Sequence, residues 1–184
     1  MQETDTIYES RHGWSARNAA VLAIAVLMTA GTFLIDPSQT TVWLQILTLL
    51  LFGGGGTVIA YNAISKKVAL RVDATGVLLG GAPLRYRATT VLVPWSEIAG
   101  VELWIQYSAK KLPYVGLHRH PDLPPLPGGR SRIGAAAVGK PAALVAASRA
   151  VNGWRLNTPA LLAAIHHHAP TTDISIDLNF PTKI

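Results

Sequence analysis

"NAAVLAIAVLMTAGTFLI", residues 18–35, and "TTVWLQILTLLLFGGGGTVIAY", residues 40–61, flank the tetrapeptide Asp36-Pro37-Ser38-Gln39. Between Arg17 and Lys66 the only formally charged residue is Asp36. A helical crossing of a bilayer needs about 20 apolar residues, with about 17 to 25 tolerated, and both stretches meet that length. The tetrapeptide between them consists of residues that cap, fix φ and stay hydrated, which is turn chemistry. A secretory signal would have an apolar core of about 7 to 15 residues and no second span directly behind it. The stretch predicts a transmembrane helical hairpin over residues 18–61.

The flanks orient it. Arg11 and Arg17 precede the hairpin, Lys66, Lys67 and Arg71 follow it, and its turn carries no basic residue. The positive-inside tendency therefore predicts a two-pass protein of the plasma (inner) membrane, with both termini and the C-terminal portion cytoplasmic and Asp36 outside. Trp14 and Trp43 stand where amphipathic indoles flank a bilayer.

Four consecutive glycines, Gly53, Gly54, Gly55 and Gly56, invite comparison with a phosphate-cradling loop. That loop also requires a preceding strand and a lysine followed by Ser or Thr, whereas here Thr57 comes next and the first lysines are Lys66 and Lys67. In an antiparallel hairpin the glycines instead fall near the depth of residues 21–24, close to Ala19, Ala20 and Ala23. Small residues facing one another let helix backbones approach in lipid. The same register brings Gln45 to Thr32 and Thr48 to Thr29. A hinge or a self-association face is the alternative use of the glycines.

The 184 residues are 49% hydrophobic and 14% charged, against about 25% charged in an ordinary soluble domain, and the deficit lies in the hairpin. The absence of cysteine excludes disulfides, thiolate catalysis and Cys-based metal sites. Residues 1–17 read as a cytoplasmic N-terminal arm with a formal charge of −1, while residues 61–184 carry 14 Lys and Arg against 6 Asp and Glu. Basic charge of this kind suits an anionic leaflet.

After the hairpin, strand signals dominate. Val68, Leu70 and Val72 alternate, 73–76 is a turn, and 77–79 returns as a second short strand. Val91 and Val93 lead to Pro94, a single turn at 96–99 follows, and Val101, Leu103 and Ile105 define one face of a longer strand opposite Glu102, Trp104 and Gln106. Residues 112–120 supply one more strand. "PDLPPLPGG", 121–129, is a loop. Residues 142–150 read as a short helix or interrupted strands. "NTPALLAAI" predicts a helix with Thr158 as N-cap, Pro159 at its first position and Leu161, Leu162 and Ile165 as the buried stripe. The tail 169–184 contains "DISIDLNF", which alternates like a strand and adds to an edge in this subunit or in a neighbour.

"RVDATGVLLG", "TVLVPWSEIAGVELW" and "GWRLNTPALLAAI" together resemble the bacterial pleckstrin-homology-like (PH-like) domains attached to short transmembrane hairpins in small actinobacterial membrane proteins. Asp73 and Gly76 match the early strand pair, Val93, Pro94, Trp95 and Ile98 the following turn and strand, and Trp154 with the 161–165 stripe the closing helix. The resemblance covers residues 66–168. It implies an α+β chain: a helical hairpin, then a PH-like bent antiparallel barrel or sandwich closed by a C-terminal helix, with Trp95, Ile98, Trp154, Leu161, Leu162 and Ile165 in its core. It also implies an interaction or scaffold module without conserved enzymatic activity, and no cofactor.

Candidate chemistry is sparse. His166, His167 and His168 are adjacent on a helix end and fan out, while His118 and His120 share one strand face. His118, His120, His166 and His168 are thus the only metal candidates, and weak ones, with a helix-end cluster the simpler reading. Ser96 beside Glu97 is not an activated nucleophile. The basic residues are the better lead. Lys66, Lys67, Arg71, Lys110 and Lys111 are placed to anchor topology or contact anionic lipid headgroups, and Arg85, Arg87, Arg130 and Arg132 to hold an acidic protein. Trp104 is the indole best placed for a contact surface. Nothing here interleaves aromatic and basic residues as a nucleic-acid reader does. The expected partners are membrane lipids and a protein partner or a second copy. The sequence predicts a non-catalytic membrane-anchored interaction or scaffold protein, with an anionic-lipid-binding module and a metal-dependent enzyme as the alternatives.

Overall fold

The computed structural model describes residues 7–34, 39–107, 111–126 and 138–184. The chain forms two compact units, one of residues 12–66 and one made from the described residues up to Arg11 together with those from Lys67 onward.

The first unit is a helical hairpin. Helix α1 (Ala16–Gly31) starts at Ser15, whose hydroxyl accepts from the Asn18 amide at 3.1 Å, and tightens into a 3-10 turn at Thr32–Leu34. Helix α2 (Gln39–Thr48) runs through a π-helical segment, Leu49–Gly54, into α3 (Gly55–Ser65). Glycine is a poor helix former, and the wider π turn falls on the segment that enters the glycine run. The helical stretches Ala16–Leu34 and Val42–Ser65 have 19 and 24 residues, about 29 and 36 Å of rise, enough for an apolar bilayer core of about 30 Å. Their outward faces carry exposed Ile24, Val26, Leu27, Phe33, Leu47, Leu50 and Leu51, among others. An apolar surface of that extent is consistent with membrane association of the two helices.

The second unit is α+β and holds two four-stranded sheets. In the first, β1 (Tyr8–Arg11), β2 (Val68–Asp73), β3 (Gly76–Leu79) and β4 (Val91–Pro94) follow in order, each pair antiparallel. Tyr8 faces Val72, Leu70 faces Leu79 and Val77 faces Val93. In the second, β6 (Leu112–Arg119) lies between β5 (Ile98–Gln106) and β7 (Ser148–Ala150), and β8 (Asp173–Ile176) runs parallel to β5 on its other side. One buried cluster draws Leu70, Val72, Leu79 and Val93 from the first sheet, Leu103, Val115 and Leu117 from the second, and Leu161, Ala164 and Ile165 from helix α6 (Thr158–His168). The unit also holds the short helices α4 (Tyr86–Thr89) and α5 (Ala142–Ala146).

Several expectations change. The arm assigned to residues 1–17 contributes a strand: Tyr8 and Ser10 are buried, and the domain boundary at residue 66 leaves out this part of its sheet. The hairpin is thus inserted between two neighbouring strands, with connections of residues 12–15 and 66–67. Asn157, not Thr158, caps α6, its side chain accepting from the Ala160 amide at 3.3 Å, and the Thr158 hydroxyl donates to the Pro181 carbonyl at 2.9 Å. The tail strand pairs within its own chain, and it follows α6, so the helix is not the last element. Residues 142–150 divide into a helix and a strand.

Candidate functional site

The Asp73 turn and Trp95 are architectural. The Asp73 side chain accepts from the Thr75 amide at 2.9 Å, and its other oxygen lies 2.8 Å from Arg71 Nε. Burial raises the Asp73 carboxyl, but the Thr75 hydrogen bonds and Arg71 outweigh it and hold the group below the ordinary value. Trp95 Nε1 donates to the Asp73 carbonyl at 2.9 Å and ties the turn to the end of β4. Gly76 sits at φ +148°, and a Cβ there would stand 2.1 Å from the Val93 carbonyl oxygen. This close approach explains the spacing of Asp73, Gly76, Pro94 and Trp95 as packing. Ile98, Trp154, Leu161 and Ile165 are buried, and Trp95 and Leu162 pack against the core half-buried.

Trp104 is overturned as a contact residue. It is 1% exposed, stacked on Tyr114 at 4.2 Å between ring centroids, and its indole nitrogen donates to Ser148 Oγ at 3.3 Å. The face of β5 and β6 that alternation marks as polar is roofed by α5, whose Leu144 and Val145 are buried. At its rim Glu102 receives Lys140 at 2.5 Å and His118 at 2.7 Å. Burial raises the Glu102 carboxyl, yet the hydrogen bonds from Lys140 and His118 overcome this and leave it below the ordinary glutamate value.

The histidines do not converge. His118 is engaged by Glu102, the His120 amide donates to the Glu97 carbonyl, and His167 and His168 meet edge to face. Among the described residues no three His, Asp or Glu side chains are grouped to hold a metal. Glu97 and Glu102 are each paired with a cation, Glu97 with Arg119 at 2.7 Å.

The hairpin glycines divide. Gly53, Gly54 and Gly55 have open space where a Cβ would point, whereas Gly56 is buried and its Cβ would lie 3.3 Å from the Ala25 Cβ. The close face of α1 is built by Leu22, Ala25 and Thr29, and Ala19, Ala20 and Ala23 point outward. The reading of Ala19, Ala20 and Ala23 as the packing face is therefore corrected by less than one helical turn. Gln45 does reach Thr32, donating to its carbonyl at 2.9 Å, while the Thr48 hydroxyl turns back to the Leu44 carbonyl. A groove of about 500 Å³ runs beside Gly56, lined by Ala25, Thr29, Phe33 and Phe52, and Thr29 Oγ1 is buried without a partner among the described residues.

The basic residues split in the same way. Lys110, Arg130 and Arg132 lie outside the described residues, Lys111 sits 5.9 Å from the Tyr107 ring centroid, and Arg71 pairs with Asp73. Lys66 ends α3 in the left-handed conformation at φ 46°. Lys67 instead donates to the Pro83 carbonyl at 2.8 Å and lies 5.3 Å from the Tyr86 ring centroid. This brings a segment into view that strand periodicity passes over, residues 80–90. Tyr86 donates to the Val68 carbonyl at 2.9 Å. At the ends of the segment Arg149 donates to the carbonyls of Gly80 (2.9 Å) and Thr89 (3.0 Å). Burial pulls the Arg149 pKa down, and three backbone carbonyls, with no carboxylate among the described residues, receive the guanidinium. Leu84, Arg85 and Arg87 are exposed on this scaffold. The signal available in sequence was the cluster "PLRYR", a leucine and an aromatic among cations, residues 83–87, after the second candidate span.

Comparison with known protein families, with characterised proteins and with solved structures yields no match. The functional reading therefore rests on the residues themselves.

Proposed function

We propose that this chain is a non-catalytic, membrane-anchored interaction protein: a two-pass hairpin holds a cytoplasmic PH-like domain at the membrane surface, where it organises an assembly with a protein partner or a second copy. The observation that carries the reading is the pairing of β1 with β2 on either side of the hairpin. A domain tied by both ends of its anchor, through connections of residues 12–15 and 66–67, has little freedom to leave the surface. That restriction serves a partner in the same membrane, because confinement raises effective concentration without any new contact. The two sheets and the single core shared with α6 support the PH-like assignment, as do Asp73, Gly76, Pro94 and Trp95 meeting at one turn.

The test is gentle extraction of the full chain from native membranes followed by mass measurement of the intact complex. A homogeneous homo- or hetero-complex is expected. A lone monomer at native expression level, with no cross-linked neighbour in intact membranes, overturns the assembly role.

A further inference from the structure

We infer that residues 80–90 form a loop that contacts anionic phospholipid headgroups, with Arg85 and Arg87 receiving headgroup phosphates and Leu84 entering the interface. Three observations combine. First, the loop is fastened to the second and third residues after the span: Lys67 donates to the Pro83 carbonyl and the Val68 carbonyl accepts from Tyr86. The second span ends at Ser65, and two residues of extended chain reach about 7 Å at most. The polar layer of one leaflet is about 5 to 8 Å deep, so Lys67 stays at headgroup level. Second, the loop is rigidly presented. Thr89 and Thr90 hydroxyls accept from the amides of Ala82 and Gly81 at 3.0 Å, and Arg149 clamps both ends. Third, its display matches an anionic interface. Leu84 is 61% exposed, and Arg85 and Arg87 are exposed with no ion pair among the described residues. From Lys66 to Thr90 five basic residues face a single acid, Asp73, already engaged by Arg71. An apolar side chain between arginines is what an interface recognises, the leucine favoured below the phosphates and the guanidinium forks bonding to them.

This inference rests on the membrane placement of Val42–Ser65, and the experiment separates the two. The chain has no cysteine, so Leu84→Cys gives a single attachment point for an environment-sensitive fluorophore. The full chain is reconstituted into vesicles of phosphatidylcholine alone or mixed with phosphatidylglycerol. Resistance to carbonate extraction reports on the anchor, and quenching by aqueous iodide and by a lipid-borne quencher reports on the loop. With phosphatidylglycerol present, the label is expected to be shielded from iodide and quenched from the lipid, and high salt or Arg85→Gln with Arg87→Gln reverses this. At about tenfold per 1.4 kcal/mol and roughly 1 kcal/mol per basic residue near the surface, the double change lowers the docked-to-free ratio roughly 30-fold. Unchanged tryptophan fluorescence shows that the variant is folded. A label open to iodide in both vesicle types overturns the inference, as does equal shielding in both. Extraction by carbonate removes the membrane reading and this one with it.

Discussion

Replacing Tyr8 with alanine tests whether the strand before the hairpin belongs to the domain after it. Tyr8 is 9% exposed, and its hydroxyl accepts from the Asn157 amide at 3.1 Å, at the cap of α6. Burying about 150 Å² of ring at about 25 cal/mol per Å² gives close to 4 kcal/mol, and an orphaned amide adds about 1 kcal/mol or more. Tyr8→Ala should therefore cost about 5 kcal/mol, a large part of the 5 to 15 kcal/mol that holds a typical domain together. Tyr8→Phe keeps the ring and should cost about 1 kcal/mol. Ile7→Ala, at a residue 53% exposed, should stay within about 0.5 kcal/mol. The assay is urea unfolding of the full chain in detergent, followed by tryptophan fluorescence. The phenol adds a signature in pH. Burial raises the Tyr8 hydroxyl above its usual value of 10.0, with the Asn157 amide acting the other way. Its contribution is complete below pH 10 and is lost as the pH rises through the raised folded value, a loss that Tyr8→Phe abolishes. A Tyr8→Ala variant within about 1 kcal/mol of the parent refutes the inserted-hairpin architecture and, with it, the double tether on which the proposed function stands.

Three further outcomes follow from other sites. Gly76→Ala places a methyl 2.1 Å from the Val93 oxygen at φ +148°, so it should cost about 3 kcal/mol or more in the same urea assay; a neutral result contradicts the turn geometry. Gly56→Leu should destabilise the hairpin by about 1 to 3 kcal/mol through overpacking on Ala25, whereas Gly54→Leu should be neutral or gain up to about 1 kcal/mol of helix propensity, both read by denaturant titration in detergent. Glu102 has a folded carboxyl below the ordinary 4.5, so its ion-pair contribution is present above that pH and fades as the pH falls through the folded value. Trp104 emission should report this acid loosening, identified by comparison with Trp104→Phe, and Glu102→Gln should remove the pH dependence.

Hydropathy made the hairpin legible because a bilayer demands length and apolarity from every turn of a spanning helix. Even the Gln45–Thr32 register could be counted from the turn. The exact packing face could not, since Ala25 and Ala23 are chemically alike and only their rotation about the helix axis differs, by about 200° over two residues. Strand 68–73 and residues 101–106 of β5 announced themselves by alternation, whereas the turn expected at 96–99 ends at Glu97 and β5 begins at Ile98. β1 did not: four residues, two of them charged, give too short a pattern to register, and the partner of Tyr8 lies 64 positions away at Val72. Trp104 misled for a related reason. Alternation assigns it to the outer face correctly, but a helix recruited from residues 142–146 covers that face, and nothing local to β5 announces the cover.

The number of spans and the pairing of β1 with β2 constrain each other. An antiparallel pair needs the end of one strand close to the start of the next, and only an even number of crossings returns the chain to the side it left. In effect β1, the hairpin and β2 form one β-hairpin whose connection, residues 12–67, carries the two candidate spans. Closing a flexible loop of that length costs about 2 kcal/mol more than closing one of four residues. Two helices packed through Gly56 and Ala25 and joined by the Gln45–Thr32 hydrogen bond order much of that connection themselves, so the closure entropy left to the pairing of β1 with β2 is smaller. A hairpin loosened at Gly56 should therefore weaken the sheet as well as the anchor. The coupling is reciprocal: Gly56→Leu disturbs the helices and raises the closure cost of β1, and Tyr8→Ala, by freeing the first strand, removes the same support from the helical hairpin.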